Sequence, residues 1–220
     1  MKLLQLSKMS DNAVASVENS FDRLPHTDHK DGKYRLRRYS AIEVRSTFWD
    51  AKEEADITKL SRTEFTQDQH WNKHQGGMAR SFKPVEDEVL HSKGFGEICL
   101  SFMKYFSMVD GQEIEVHQLR VRTLDGETWT QVAPEGVHQD GYDYIAMVGI
   151  NRHNIEGGEL LAYFSKDEDY FLKYALGPGE ILMLDDSKLW HNASPIRRST
   201  AAVGYGDWFV LTAHGDGSKK

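Results

Sequence analysis

Two histidines and an aspartate carry the chemistry most readily read from this chain. His138, Gln139 and Asp140 follow Pro134-Glu135-Gly136-Val137, and His191 closes the later stretch Glu180-Ile181-Leu182-Met183-Leu184-Asp185-Asp186-Ser187-Lys188-Leu189-Trp190. Two imidazoles and one carboxylate suit a mononuclear non-haem Fe(II) centre, which keeps coordination positions open for oxygen and a co-substrate. The spacing His-x-Asp is a weak signal alone, because it occurs four times: His26/Asp28, His29/Asp31, His138/Asp140 and His214/Asp216. Only His138/Asp140 leads into an alternating apolar run. On an extended strand residues i and i+2 point to one face, so both side chains reach one ion. The other pairs lie among Lys, Gly and Thr near the termini, with no apolar strand to hold them.

The elements that must position these groups are strands. A turn at Gly177-Pro178-Gly179 launches the short apolar strand 180–184 that delivers His191. The gap between Asp140 and His191 has room for three strands and their turns, so the chain can leave the first pair and return beside it. The plainer alternative for His191 is an ordinary, partly buried histidine next to Trp190.

The whole chain has 220 residues and a formal net charge of −7, which argues against a nucleic-acid partner. A single cysteine, Cys99, excludes an internal disulfide framework and a cysteine-based zinc site. The opening Met1-Lys2-Leu3-Leu4-Gln5-Leu6 is too short an apolar stretch for a signal peptide, and no run approaches membrane-spanning length. The expectation is a cytoplasmic protein with no membrane partner. One domain is expected over 1–220, with a helical and irregular cover to residue 110 and a β core over 111–214.

Within the cover, Val14, Val17 and Phe21 recur at helical spacing across 8–22, behind the N-cap Ser10. Residues 85–108 are also helical in pattern, with Gly94 and Gly96 expected to divide them. Tyr34 to Val44 reads as a strand in which Arg35, Arg37 and Arg38 exceed what a solvated face needs. They either pair with acidic neighbours or receive an anionic substrate, and Arg37 and Arg38 point to opposite faces. Residues 61–85, with Gly76-Gly77, form an irregular candidate wall of the site. In the strand 113–123, His117, Leu119 and Val121 share one face while Gln118, Arg120 and Arg122 share the other. Asp125-Gly126 signals a hairpin. Further strands at 142–150, 159–164, 180–184 and 206–213, separated by Gly, Pro and Asp turns, give a mainly β protein. Its core closes as a double-sheet jelly roll or barrel with packing helices on one side.

Several blocks in order carry a resemblance: His117-Gln118-Leu119-Arg120, Pro134 to Gly141, Asn151-Arg152, Gly157-Gly158-Glu159, Asp185-Asp186, and His191 with Ser194-Pro195. With them the chain resembles the bacterial free-amino-acid hydroxylases of the isoleucine 4-hydroxylase type, within the 2-oxoglutarate/Fe(II)-dependent dioxygenases. The resemblance implies a double-stranded β-helix (jelly-roll, cupin-like) core and iron held by His138, Asp140 and His191. It further implies 2-oxoglutarate as co-substrate, molecular oxygen, and hydroxylation of a small substrate such as a free amino acid. The carboxylate at Asp140 favours hydroxylation over halogenation, since such halogenases leave that position to chloride.

One position departs from the pattern. In that family an arginine typically precedes an aspartate on the last core strand and grips the far carboxylate of the co-substrate, a task its planar fork suits. Here Gly206 precedes Asp207. Substitute cations rank as Arg198, on the route into the last core strand, then Arg120, with Gln118 on its face, then Arg197. The lost arginine also admits a metal-binding β-barrel protein without oxygenase turnover, regulatory or stress-related, or another metal-dependent reaction on the same scaffold.

Overall fold

Period-2 apolar patterning turns most of the chain into strands. The computed structural model describes residues 2–71 and 74–215, so Asp216 of the last His-x-Asp pair lies outside the described residues. The N-terminal half holds β1 (Leu4–Lys8), α1 (Asp11–Ala15), a 3-10 helix (Glu18–Arg23), β2 (Arg35–Trp49), β3 (Lys52–Lys59), β4 (Glu64–Phe65), β5 (Arg80–Ser81), α2 (Asp87–Leu90) and α3 (Lys93–Phe106). The second half supplies β6 (Gln112–Arg122), β7 (Tyr144–His153), β8 (Ile155–Gly157), β9 (Leu160–Tyr163), β10 (Leu172–Tyr174), β11 (Glu180–Asp185), β12 (Trp190–Ala193), β13 (Ile196–Arg198) and β14 (Tyr205–Ala213).

The long strands form one antiparallel sheet in the order β1-β11-β7-β14-β6-β2-β3. Smaller ladders, β10-β9-β12 and β13-β8, complete the jelly-roll double-stranded β-helix. Alternation sorts the side chains of each strand. On β7, Ala146, Val148 and Ile150 join Phe21, Phe95 and Phe102 in the core beneath the helices. Ile145 and Met147, one residue out of phase, face the interior of the roll with Leu160, Leu176, Leu182 and Leu184. Phe209 of β14 meets the rings of Phe21 and Phe95 edge-on, with centroids 5.0 and 5.5 Å away. Burying each such side chain stabilises the fold by roughly 1.5–3 kcal/mol.

Several expectations are refined. The helix expected over 8–22 begins as foreseen, with Ser10 Oγ accepting the Ala13 N–H at 3.3 Å. It then passes into the 3-10 helix, because the Ser16 and Ser20 hydroxyls bond back to the carbonyls of Ala13 and Val17. The break in 85–108 falls at His91-Ser92 rather than at the glycines, and Ser92 Oγ caps α3 by accepting the Phe95 N–H at 3.2 Å. Gly94 sits inside α3, where a Cβ would come within 2.1 Å of the Ala13 carbonyl oxygen, so the close approach of α1 requires glycine. Asp125-Gly126 makes a turn but no hairpin, since both edges of β6 are already paired with β2 and β14. The sheet also crosses the boundary expected near residue 110, because β1, β2 and β3 all belong to it.

Candidate functional site

His138 and His191 are brought together by one antiparallel bridge. Each backbone N–H donates to the other's carbonyl, at 3.0 and 2.9 Å, and the ring centroids lie 4.4 Å apart. The continuous strand expected through 138–140 is thus a single bridge, and Asp140 follows in irregular chain. The ligand atoms of His138, Asp140 and His191 all lie within 4.8 Å of one another. Among the described residues no other group of three His, Cys, Asp or Glu does this. His138 Nε2 is 3.4 Å from Asp140 Oδ1, and His191 Nε2 is 3.7 Å from Asp140 Oδ2.

The other ring nitrogens explain this orientation. His138 Nδ1 donates to the Gly136 carbonyl at 2.8 Å. His191 Nδ1 and Asp186 Oδ1 are 3.1 Å apart, and both are buried with no other partner among the described residues. With both Nδ1 atoms protonated, both Nε2 lone pairs aim at the space beside Asp140, the tautomer a divalent ion needs. Asp186 braces the carboxylate side too, its Oδ2 accepting the Asp140 N–H at 2.8 Å. Two imidazoles and one carboxylate, held this way, fit Fe(II).

The charges agree with a cation site. Burial opposes ionisation of Asp140, but His138, His191 and His117 outweigh it and hold its pKa well below the usual carboxylate range. Burial likewise opposes protonation of His138, yet Asp140 and Glu135 push its pKa up to about 9. In the absence of metal, the proton on His138 stands in for the cation.

The site opens into a cavity of about 130 Å³. A water needs about 10–15 Å³ by this measure, so there is room for a small molecule with the bulk of roughly ten waters. Ile145, Met147, Leu160, Leu176 and Val210 make an apolar wall ending at Trp208, while Arg35, Arg37, Arg80 and Glu135 line another part. Gln67 links the triad to the cations: its Nε2 donates to Asp140 Oδ1 at 3.1 Å and its Oε1 accepts from Arg80 Nη2 at 3.2 Å. Arg80 also donates to Gln75 Oε1 at 3.2 Å. Arg35 lies 3.6 Å from Glu135 and 3.7 Å from Asp31. Arg37 Nε donates to His117 Nδ1 at 3.1 Å, and its guanidinium lies over Phe65 and Phe82 at 5.4 and 5.0 Å. Burial, then the charges of Arg35 and Arg80, lower the Arg37 pKa to about 9. Burial and Arg37 hold the pKa of His117 well below the ordinary histidine value, so its ring stays neutral and Nδ1 accepts.

The substitute cations ranked from sequence lie elsewhere. Gln118 and Arg120 occupy the face of β6 opposite His117 and Leu119, beneath the 3-10 helix. Gln118 Nε2 donates to Ser20 Oγ at 2.8 Å. Arg120 makes a two-pronged pair with Asp207, at 2.6 and 2.8 Å, and reaches Asp22 at 2.9 Å. Arg197 pairs with Glu156 and lies over Trp129, and Arg198 pairs with Asp125 at 3.3 Å. None of these four lines the cavity. Of the arginines singled out on β2, Arg38 pairs with Glu86 at 2.8 Å, as the acidic-neighbour reading expects, while Arg37 lines the cavity. Asp186 lay within a block singled out by resemblance, and Gln67 and Arg80 fall in the stretch 61–85 expected to form a wall of the site, although neither was singled out individually.

The fold has clear relatives. The backbone matches the crystal structure of a BsmA homologue from Methylobium petroleophilum PM1 with a TM-score of 0.78 and 24% identity, covering 100% of this chain and 91% of that one. IDO from Bacillus thuringiensis matches with a TM-score of 0.74 and 17% identity over 98% of this chain and 95% of that one. The Fe(II)/α-ketoglutarate-dependent dioxygenase TqaL gives 0.68 and 13% over 96% and 82%. At these identities the likeness is one of fold, and no curated protein sequence matches the chain. The family model described as 2OG-Fe dioxygenase matches residues 18–212, nearly all of the roll and its helical cover, so the chain belongs to the 2OG-Fe dioxygenase family and is a dioxygenase working with Fe(II) and 2-oxoglutarate.

Proposed function

We propose that this dioxygenase hydroxylates an unactivated C–H bond of a small, amino-acid-like substrate, with His138, Asp140 and His191 as the iron ligands. The observation behind the substrate class is the cavity beside the triad, where Glu135 and Arg35 stand near an aliphatic wall that includes Met147, Leu160 and Leu176. An α-amino acid offers an ammonium, a carboxylate and an apolar side chain, and each has a partner of complementary kind there. Glu135 is suited to the ammonium, because Arg35 and His138 overcome its burial and hold it ionised, with a lowered pKa.

Molecular oxygen is the oxidant: bound Fe(II) would activate it, with the oxidative decarboxylation of 2-oxoglutarate to succinate supplying two of the electrons, and so provide the power to break the C–H bond. The protein's share is geometry. The 138/191 bridge and Asp186 fix the three ligands, Gln67 restrains the Asp140 carboxylate, and the apolar wall keeps water from the reacting carbon. Asp140 fills the position a halide would need, which supports hydroxylation. A cytoplasmic location belongs to the same reading, supported by the single buried free thiol Cys99.

A panel of free amino acids with oxygen consumption and succinate release as readouts tests the substrate class. One amino acid is expected to stimulate both, and an iron-loaded protein that none stimulates would defeat the class. His138→Ala is expected to lose iron while its circular dichroism and melting remain those of the parent, and stoichiometric iron in that variant would defeat the ligand assignment.

A further inference from the structure

The end of the roll where the resemblance places a carboxylate-gripping arginine is closed. Gly206 offers no side chain, and a Cβ built on it would stand 1.9 Å from Trp208 Cη2, so the indole lies directly over this position. Trp208 packs with Leu119, Val121 and Ile196, making this end of the interior apolar. A co-substrate carboxylate pointing there would be buried without a cation, an expensive arrangement. Arg152 lies directly across from Gly206 on β7, but it does not line the cavity, and its guanidinium donates to the carbonyls of Gly157 and Gly158.

The cations that line the cavity are Arg35, Arg37 and Arg80, all from β2 and β5. They are not equally free. Arg35 is matched by Glu135 and Asp31. Arg80 is only 3% exposed and spends Nη1 and Nη2 on two glutamine carbonyls. Arg37 spends only Nε, on a neutral histidine, and among the described residues it has no carboxylate within ion-pair distance. Phe65 and Phe82 flank its guanidinium, and the residue lines the cavity. Its place near the triad follows from shared contacts, since Phe65 lies against His117 and Arg80, and Arg80 reaches Asp140 through Gln67.

We propose that Arg37 seats the far carboxylate of 2-oxoglutarate, gripping it from β2, two strands away from Trp208 in the same sheet. A planar fork without a carboxylate partner is the group best suited to bind one by two parallel hydrogen bonds. Its pKa, lowered to about 9 by burial and its cationic neighbours, is that of a cation short of negative charge, which an incoming dianion supplies. The assignment rests on the iron site proposed above.

The test is anaerobic titration of the Mn(II)-loaded protein by calorimetry with two ligands, 2-oxoglutarate and 2-oxopentanoate. The second keeps the metal-binding keto acid and chain length but lacks the far carboxylate. Wild type is expected to prefer 2-oxoglutarate by on the order of 100-fold. Arg37→Gln should erase most of that preference while 2-oxopentanoate and Mn(II) affinities stay within about threefold of wild type, and Arg37→Lys should fall between. Equal binding of both keto acids by wild type, or an unchanged preference in Arg37→Gln, overturns the proposal alone. Failure of wild type to bind either keto acid would overturn the iron-site reading along with it. Should both variants fail to fold, arginine modification of the wild-type protein by phenylglyoxal decides. 2-Oxoglutarate, and not 2-oxopentanoate, is expected to shield Arg37, and shielding of Arg152 instead would refute the assignment.

Discussion

Replacing Asp186 by asparagine tests whether one buried carboxylate orients the metal site. Asp186 is fully buried and serves two donors, His191 Nδ1 at 3.1 Å and the Asp140 N–H at 2.8 Å. Asparagine keeps the volume but has a single oxygen, so it can accept from only one of them. With that oxygen toward Asp140, the amide N–H₂ faces His191 Nδ1 and drives the ring proton onto Nε2, where it blocks a ligand lone pair. In the opposite flip the N–H₂ opposes the Asp140 N–H and displaces the loop carrying the carboxylate. Either way one charge-assisted hydrogen bond is lost, about 1.5–3 kcal/mol, which as a ratio agrees with the roughly 10–100-fold usual for partners of metal-binding histidines. Calorimetric titration of the metal-free protein with Mn(II) should show Asp186→Asn weaker by that factor. Because burial already raises the Asp186 pKa, removing its charge relieves a desolvation penalty, and the metal-free variant should melt near wild type. A Mn(II) affinity within about threefold of wild type in a folded variant would refute the reasoning.

Arg120→Ala leaves Asp207, 1% exposed, without its cation, and should destabilise the protein by roughly 3–5 kcal/mol in urea unfolding. Burial is the largest influence on Asp207 and already holds its pKa above the ordinary value. Its protonated form therefore favours the folded state at low pH, and that benefit disappears as pH rises through the folded pKa. The Arg120→Ala deficit should accordingly shrink as pH is lowered toward 4, and a deficit that grows instead contradicts this account. Replacing His26, His29 or His214 by alanine should leave metal stoichiometry at one per chain, because His26 is exposed, His29 meets Ser81 and Phe82, and His214 meets Asp143 and Tyr142; a lost equivalent in any of them would point to a larger site. Burial pushes the Cys99 thiol pKa well up, so it should resist iodoacetamide at pH 8 until the protein is unfolded, as mass spectrometry can follow. Gly206→Ala should displace Trp208 and lower stability by roughly 1–3 kcal/mol. Adding Trp208→Leu should recover part of the loss, and an unaffected single variant would show that the indole yields freely.

The candidate metal triad was legible because its signal is local. His138 and Asp140 sit two apart ahead of an apolar strand, and His191 ends another, so chain order alone suggests a return. The jelly roll was equally legible in its alternating strands, whose period also placed His117 and Leu119 on one face of β6 and Gln118 and Arg120 on the other. Which of those faces looks inward was not legible. That depends on the helices of the first hundred residues covering one side of the sheet, which leaves Arg120 to Asp207 and Asp22 and opens the His117 side to the cavity. The same limit applies to the co-substrate cation. Proximity in sequence favoured Arg198, but the β13–β8 ribbon carries it outward to Asp125, while Arg37 and Arg80, far from the triad along the chain, converge on it. Local periodicity determines which residues share a face. Only the closed sheet, by bringing segments more than fifty residues apart within contact of Asp140, decides which faces become one site.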